Sequence, residues 1–424
     1  MDVENNAKNY NVLGAVKLER SKFCGFFSGS RHIGCPSAVS SSPVSNAFPK
    51  NFVSLKMAAI RLKDIATRLG LSVSTVSAAL QNREDISQAT RDRVGAAVRE
   101  LGYHPNSLAR SLVTRRSQVL GVIVPDLSRS FFSGVLKGMD EVTNPAGYNL
   151  LVCNTEEDAV REEQALRMLL ARQVDGILLA TAHDRNDTAW RQTLRQVRVP
   201  VVLVDRRMPG HHFVGGNDET IGAEATEHLA QQGYRRIAHI CGPQSVVTAA
   251  GRLKGYRRAL EKLSLPLAPE RVIESNYHAE SGGYEAMQKL LALGADQRPD
   301  AVFAASDPIA IGALQAALDA GLDIPRDLGL IGVGNHQYSQ YLRVPLSTVD
   351  QQRARIGREA AQLLLKLIAE EAGKTKRAAG GEKNRATSIL IKPQLVARAW
   401  SLGPGRGAVS GCTTNPALLR ISVH

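Results

Sequence analysis

The sequence predicts an α/β protein: an N-terminal all-α helix-turn-helix unit followed by a two-lobed, doubly wound parallel-sheet body. Three observations predict it. Between Arg61 and Gly102 apolar residues recur at three-to-four spacing, the period of helices with one buried face. From Val119 onward short continuous apolar runs alternate with amphipathic stretches, the pattern of strands buried on both faces and of covering helices. The strand–helix units also exceed what one ordinary domain holds, so two lobes with a cleft between them are expected.

The elements follow in order. Residues 1–58 are expected to be a disordered extension: Ser37 to Pro49 is rich in Ser, Pro and Asn. Asp2 and Glu4, with no long apolar region behind them, argue against a secretory signal. Met57 directly precedes the first patterned element and is the expected initiator. Residues 60–105 form the helical head. Leu62, Ile65, Ala66 and Leu69 share one face of a first helix, and Gly70 ends it by permitting a positive φ. Ser72 or Ser74 caps a second helix carrying Thr75, Val76, Ser77 and Leu80. Ser87 starts a third helix, Gln88 to Leu101, which Gly102 stops. Residues 106–117 connect the head to the body, with Asn106 placed to cap a further short helix.

The body is assigned to 118–400. Strands are expected at Val119–Val124, Asn149–Val152, Gly176–Leu179, Pro200–Val204, Ile237–Ile240, Ala301–Ala304 and Leu328–Gly332, with helices between them such as Ser133–Glu141, Arg161–Ala171 and Ile221–Gln231. Residues 373–387, rich in Gly, Lys and Arg, read as a loop, and 401–424 as a disordered tail.

Charge is uneven along the chain. The net charge is +13, yet residues 118–371 carry −4. Residues 60–117 hold ten Lys/Arg against five Asp/Glu. A basic head on a mildly acidic body points to a polyanion as the partner of the head alone. The five cysteines, Cys24, Cys35, Cys153, Cys241 and Cys412, are few and far apart, which suits a reducing cytoplasm better than a disulfide framework. No apolar run approaches the ~18–20 residues of a membrane span.

In a helix-turn-helix the second helix presents its N-terminal end to the major groove. Here that end offers Ser72, Val73, Ser74, Thr75 and Ser77, small groups able to reach phosphates, base edges and thymine methyls without a clash. Gln81 and Asn82 at the far end suit adenine or phosphate contacts, or simply a polar helix terminus.

The string Leu62-Lys63-Asp64-Ile65-Ala66, Gly70, Ser74-Thr75-Val76-Ser77, Ile86-Ser87, Thr90-Arg91, Val94 and Leu101-Gly102-Tyr103-His104-Pro105-Asn106, then Ala109-Arg110-Ser111-Leu112, resembles the head of the LacI/GalR transcriptional regulators. The resemblance continues to about Trp400 through Gly242-Pro243, Gly251-Arg252-Leu253-Lys254-Gly255-Tyr256, Ser306-Asp307, Ile331-Gly332 and Leu346-Ser347-Thr348-Val349. It implies a sequence-specific, operator-binding homodimer, usually a repressor, controlled by a small effector. It makes residues 106–117 a hinge helix and linker, and adds Tyr103, Asn106, Ala109 and Arg110 to the DNA-binding residues. Leu112 becomes the leucine that wedges into the minor groove, where unstacking is offset by the contacts a kinked duplex permits.

The body then resembles a type I periplasmic sugar-binding protein, with the effector, a sugar, sugar acid or sugar phosphate, between its lobes. Arg252 matches the arginine that grips effector oxygens. Ser306 and Asp307 follow a strand at its carboxyl end, where open α/β sheets bind ligands; Asp307 is alternatively a helix cap. Asp126, Phe131 and Phe132 hold the same topological position after the first strand, and His183 and Asp184 after the third.

Two departures from the family pattern stand out. Ala78 replaces a common arginine after Thr75-Val76-Ser77, so operator sequences do not transfer. Gly334 stands where many relatives carry a carboxylate, leaving Asn335 as the neighbouring polar group and favouring an anionic effector. A transport-type solute-binding protein is the alternative, and it would need export. An enzyme is not expected: no G-x-G-x-x-G follows the first strand, and there is no P-loop or G-x-S-x-G elbow. No cofactor or metal is expected either, since no Cys/His cluster has zinc-ligand spacing. With no sustained leucine heptad after Gly403, a dimer is expected rather than a tetramer.

Overall fold

The structure, a computed structural model, describes residues 60–103, 116–276, 280–374 and 386–403. The extension before residue 60, the hinge positions Asn106, Ala109, Arg110 and Leu112, and the tail from 404 lie outside the described residues. The chain divides between Tyr103 and His104 into two compact units.

The first unit is three helices: α1 (Leu62–Leu69), α2 (Val73–Leu80) and α3 (Gln88–Leu101). Their ends are set by local chemistry. Gly70 and Gly102 both close a helix in the left-handed region, at φ 66° and 62°. Ser72 Oγ accepts from the Thr75 amide at 3.0 Å and Ser87 Oγ from the Thr90 amide at 3.3 Å, so a serine caps each of the next two helices. Ile65, Ala66, Val76, Ala79, Val94 and Ala97 form the core of the head.

The second unit holds two six-stranded sheets. In the first lobe the order is β11-β5-β4-β3-β1-β2, built from β1 (Val119–Val124), β2 (Asn149–Asn154), β3 (Gly176–Leu179), β4 (Val201–Val204), β5 (His212–Gly216) and β11 (Ser388–Ile391). In the second lobe it is β12-β10-β9-β8-β6-β7, from β6 (Ile237–Cys241), β7 (Val272–Glu274), β8 (Ala301–Ala304), β9 (Gly329–Val333), β10 (Ser347–Asp350) and β12 (Gln394–Val396). Both lobes repeat one doubly wound strand order. All pairings are parallel except β10 with β12. That pairing departs from the all-parallel expectation. The chain reaches β12 from β11 of the other sheet through Lys392 and Pro393 alone, and so runs along the edge of β10 in the opposite direction.

Helices cover both faces of each sheet. The first lobe has α4 (Ser130–Thr143) and α11 (Arg353–Lys374) on one face, and α5 (Ala159–Ala171) and α6 (Thr188–Gln196) on the other. The second has α7 (Asp218–Gln231) and α8 (Val247–Lys262) on one face, α9 (Glu280–Leu291) and α10 (Asp307–Asp319) on the other. Paired helices approach closely through glycine. A methyl group at Gly138 would overlap the Ala354 carbonyl, at Gly255 that of Glu219, and at Gly312 that of Glu280.

The chain passes between the lobes three times among the described residues: at Asn217, at Gln351–Gln352 and at Lys392–Pro393. Helix α11 therefore belongs to the first lobe although it follows β10 of the second.

Candidate functional site

In the head, α2 begins with a cluster of hydroxyls. Ser72 Oγ lies 2.7 Å from Ser74 Oγ and 2.8 Å from Thr75 Oγ1. Ser72, Val73 and Ser74 are exposed, Val73 by 46%, while Val76 and Ala79 turn into the core. Thr75 and Ser77 are half-buried between the two faces. An exposed valine ringed by hydroxyls on a helix start is not used by the core of the head and is open to a partner. Gln81 and Asn82 are exposed where α2 ends, Asn82 with a φ of 52°. The ring of Tyr103 is half-buried against the core of the head.

In the body, the carboxyl ends of the strands enclose a cavity of ≈ 380 Å³ between the lobes. The first lobe supplies Asp126, Arg129, Phe131, Asp205 and Arg206. The second supplies Thr248, Arg252, Glu280, Ser306, His336 and Tyr338, and Gln351 enters from a crossing segment.

Arg252 is 5% exposed and fixed from two sides. Its Nε donates to Asp218 Oδ1 at 3.0 Å and its Nη1 to the Ala305 carbonyl at 2.6 Å. Asp218 sits in the first turn of α7, just after the Asn217 cap, and burial raises its carboxyl to about 7 against the opposing pull of Arg252. Burial likewise raises Asp205, with Arg206, Arg252 and Arg129 pulling it down. Arg129 bridges Asp126 at 3.3 Å and Glu157 at 3.1 Å, and Arg206 holds Glu157 through two 2.6 Å bonds. The rings of Phe131 and Phe132 meet edge-on at 5.1 Å; Phe131 is half-buried, whereas Phe132 is 2% exposed and mainly a core residue.

Several expected ligands are placed otherwise. Ser306, not Asp307, caps α10, its Oγ accepting from the Ile309 amide at 3.4 Å. Asp307 turns inward, fully buried, and accepts from the His336 amide at 2.9 Å, Ser339 Oγ at 3.0 Å and Thr348 Oγ1 at 2.6 Å. It holds the loop that brings His336 and Tyr338 to the cavity. Asn335 does not line the cavity: its amide bridges Asp350 and Arg398, each at 2.9 Å. His183 and Asp184 line a second, adjoining cavity. Gly334 leaves its own position without a carboxylate, while Asp126, Asp205 and Glu280 bring carboxylates, and Arg129, Arg206 and Arg252 guanidiniums, to the lining from elsewhere.

Sequence reasoning missed Arg129, Asp205, Arg206, Thr248, Glu280, His336, Tyr338 and Gln351. Asp205 and Arg206 were findable, since they follow β4 at its carboxyl end as Asp126 follows β1. Gln351 was not, because its position depends on the chain crossing between lobes.

The cavity combines guanidinium donors, carboxylate acceptors and the aromatic rings of Phe131, His336 and Tyr338. Among the described residues no cluster of His, Cys, Asp or Glu has the makings of a metal site, and no helix is long and apolar enough to cross a membrane.

Comparison with known proteins places both units. Residues 61–106 match the model of bacterial regulatory proteins of the lacI family, and 226–399 that of the periplasmic binding protein-like domain. The HTH-type transcriptional repressor CytR of Escherichia coli K12 is 35% identical over 310 residues, covering 72% of this chain and 89% of that protein. The HTH-type transcriptional repressor PurR of Aliivibrio fischeri is 33% identical over 312 residues, 73% of this chain and 92% of the relative. Among solved structures, the lac repressor dimer bound to operator and the anti-inducer ONPF has a TM-score of 0.70 at 25% identity, covering 81% of this chain and 99% of that one. The complex of the regulator CelR with cellobiose has a TM-score of 0.59 at 27% identity, covering 80% and 99%.

Proposed function

This chain belongs to the lacI family of bacterial regulatory proteins, and on that footing we propose that it is a homodimeric repressor whose hold on operator DNA is set by a carbohydrate or carbohydrate derivative bound between its lobes. It works as a binding protein, not an enzyme, in the bacterial cytoplasm where its DNA lies. The start of α2 enters the major groove, with Val73 and Ser74 foremost, and a two-fold dimer matches a pseudo-palindromic site.

The observation that carries the effector reading is the cavity lining. Sugar hydroxyls both donate and accept, and here Arg252 faces Asp126 and Asp205 across the same space, with Phe131 offering a ring face. A neutral polyhydroxylated ligand satisfies that mixture better than a simple anion, which would meet the carboxylates. The cellobiose seen in CelR is a ligand of this class. A ligand touching both lobes holds them together, and the coupling to DNA is reciprocal, typically ~1–3 kcal/mol.

The test is a thermal-shift screen of neutral sugars, nucleosides, sugar acids and sugar phosphates on the full chain, followed by operator binding with each hit. A carbohydrate or derivative is expected to raise the melting temperature and to shift operator affinity by 5-fold to 150-fold, at the order-of-magnitude level. If no carbohydrate moves either quantity while another class does, the effector assignment is wrong.

A further inference from the structure

The second cavity, ≈ 300 Å³, adjoins the first and shares Arg129 and Arg206 with it. Its remaining lining is distinctive. Arg185 and Arg207 reach it with no ion-pair partner among the described residues, both on exposed loops at the carboxyl ends of β3 and β4. Against these four guanidiniums stand two carboxylates, Glu157, already held by Arg206 and Arg129, and Asp184, whose Oδ1 accepts from the Asn186 amide at 2.7 Å.

Two further features converge on the same space. Ser245, Val246 and Val247 line it where α8 begins, and Val246, the N-cap residue of that sixteen-residue helix, has no side-chain acceptor to cap it. The first-turn amides of a helix lack intrahelical acceptors, and its dipole favours negative charge there. His183 is the second feature. Its side chain is only 8% exposed, stacked 4.2 Å from Trp190, with Nδ1 2.9 Å from Asp187 Oδ2. That pairing fixes the ring and leaves the buried Nε2 without a hydrogen-bond partner. A buried ring nitrogen without a partner costs free energy that a ligand atom would recover: with Nδ1–H donating to Asp187, Nε2 of a neutral ring takes the O–H of a protonated phosphoryl or carboxyl group, and an imidazolium donates to a bare oxyanion.

We infer that this cavity is an oxyanion subsite, taking a phosphoryl or carboxylate group. Arg185, Arg207, the start of α8 and His183 form its walls. The inference rests on the cleft being the effector site and refines it. A ligand with a polyhydroxylated body in the first cavity can place an acidic group in the second, past the Arg129–Glu157–Arg206 bridge, where it avoids Asp126 and Asp205. The anion then sits on this side chamber and not beside Gly334.

The experiment is calorimetric titration of the full chain at constant ionic strength with inorganic phosphate and, separately, succinate. Saturable binding of one anion per chain is expected. Arg185→Ala and Arg207→Ala, both at exposed positions, each weaken it at least fivefold, while Lys366→Ala, which removes an equal charge from an exposed site on α11, changes it less than twofold. Phosphate binding alone assigns a phosphoryl group and succinate binding alone a carboxylate. No saturable binding of either anion, or binding that both arginine variants retain in full, overturns the subsite. The carbohydrate thermal shift, measured alongside, separates the two readings: if it persists while anion binding is absent, only the subsite falls. If anions bind as described and no carbohydrate does, the carbohydrate reading falls instead.

Discussion

Arg252 and Asp218 join the two helices on one face of the second lobe, α8 and α7, through a 3.0 Å bond from Nε to Oδ1 at the point where the chain enters that lobe. The guanidinium is thereby aimed at the cavity before any ligand arrives. Arg252→Ala is expected to abolish the effector response while operator binding survives. Operator titration with and without the effector checks this; an unchanged response would remove Arg252 from the site.

The same pair makes stability depend on pH. Burial raises Asp218 from 3.8 to about 7. Between those values the unfolded chain has released this proton and the folded chain has kept it, so the contribution present below about 3.8 is lost as pH rises through about 7. Asp218→Asn removes the titration. The stability advantage of wild type over this variant is expected to shrink between pH 4 and pH 7 by on the order of a few kcal/mol, and to level off above. Urea unfolding at stepped pH measures it, and a difference that stays constant with pH refutes it.

A methyl group at Gly312 has no room against the Glu280 carbonyl on the facing helix. Gly312→Ala is expected to force α9 and α10 apart and to cost about 1–3 kcal/mol, even though alanine favours helix. Thermal unfolding checks the sign: a gain in melting temperature would mean the helices yield easily.

Asp307→Asn replaces a buried carboxylate that accepts three hydrogen bonds. The amide keeps one acceptor oxygen and turns a donor towards another donor. A loss of about 2–4 kcal/mol is expected, with weaker effector binding because the loop bearing His336 and Tyr338 loosens. Equal stability of the two proteins would show that the loop is held by other means.

In the head, Ser72→Ala removes the cap of α2 and is expected to cost about 1 kcal/mol. Val73→Ala and Ser74→Ala leave the core untouched and are expected to alter operator preference at equal stability. Selection of preferred duplexes from a random pool, set beside melting curves, separates the two effects.

The contrast between head and cleft explains what a sequence discloses. Gly70, Ser72, Ser87 and Gly102 mark helix ends through contacts within a few residues, so their roles are visible in the string itself. β1, β3, β4, β6, β8 and β9 were equally visible because burial on both faces keeps them almost wholly apolar, whereas β5, β7, β10 and β11, each with a polar residue at one end or both, were not expected. Asp307 is the opposite case: its partners His336, Ser339 and Thr348 lie 29 to 41 residues away, and nothing local distinguishes a cap from a buried acceptor. Asn335 likewise sits next to the cavity in sequence, yet Asp350 and Arg398 claim its amide. The antiparallel β12 escaped notice because it depends on where Lys392 and Pro393 deliver the chain.

The three passages between the lobes lie side by side, since β5 adjoins β11 and β10 adjoins β12. Neither half of the body is an unbroken length of polypeptide, so no simple truncation isolates one. Tethers set in a row act like the pins of a door: swinging is easy, while sliding and swivelling are resisted. A small molecule then needs only to latch a movement whose direction the backbone has already chosen.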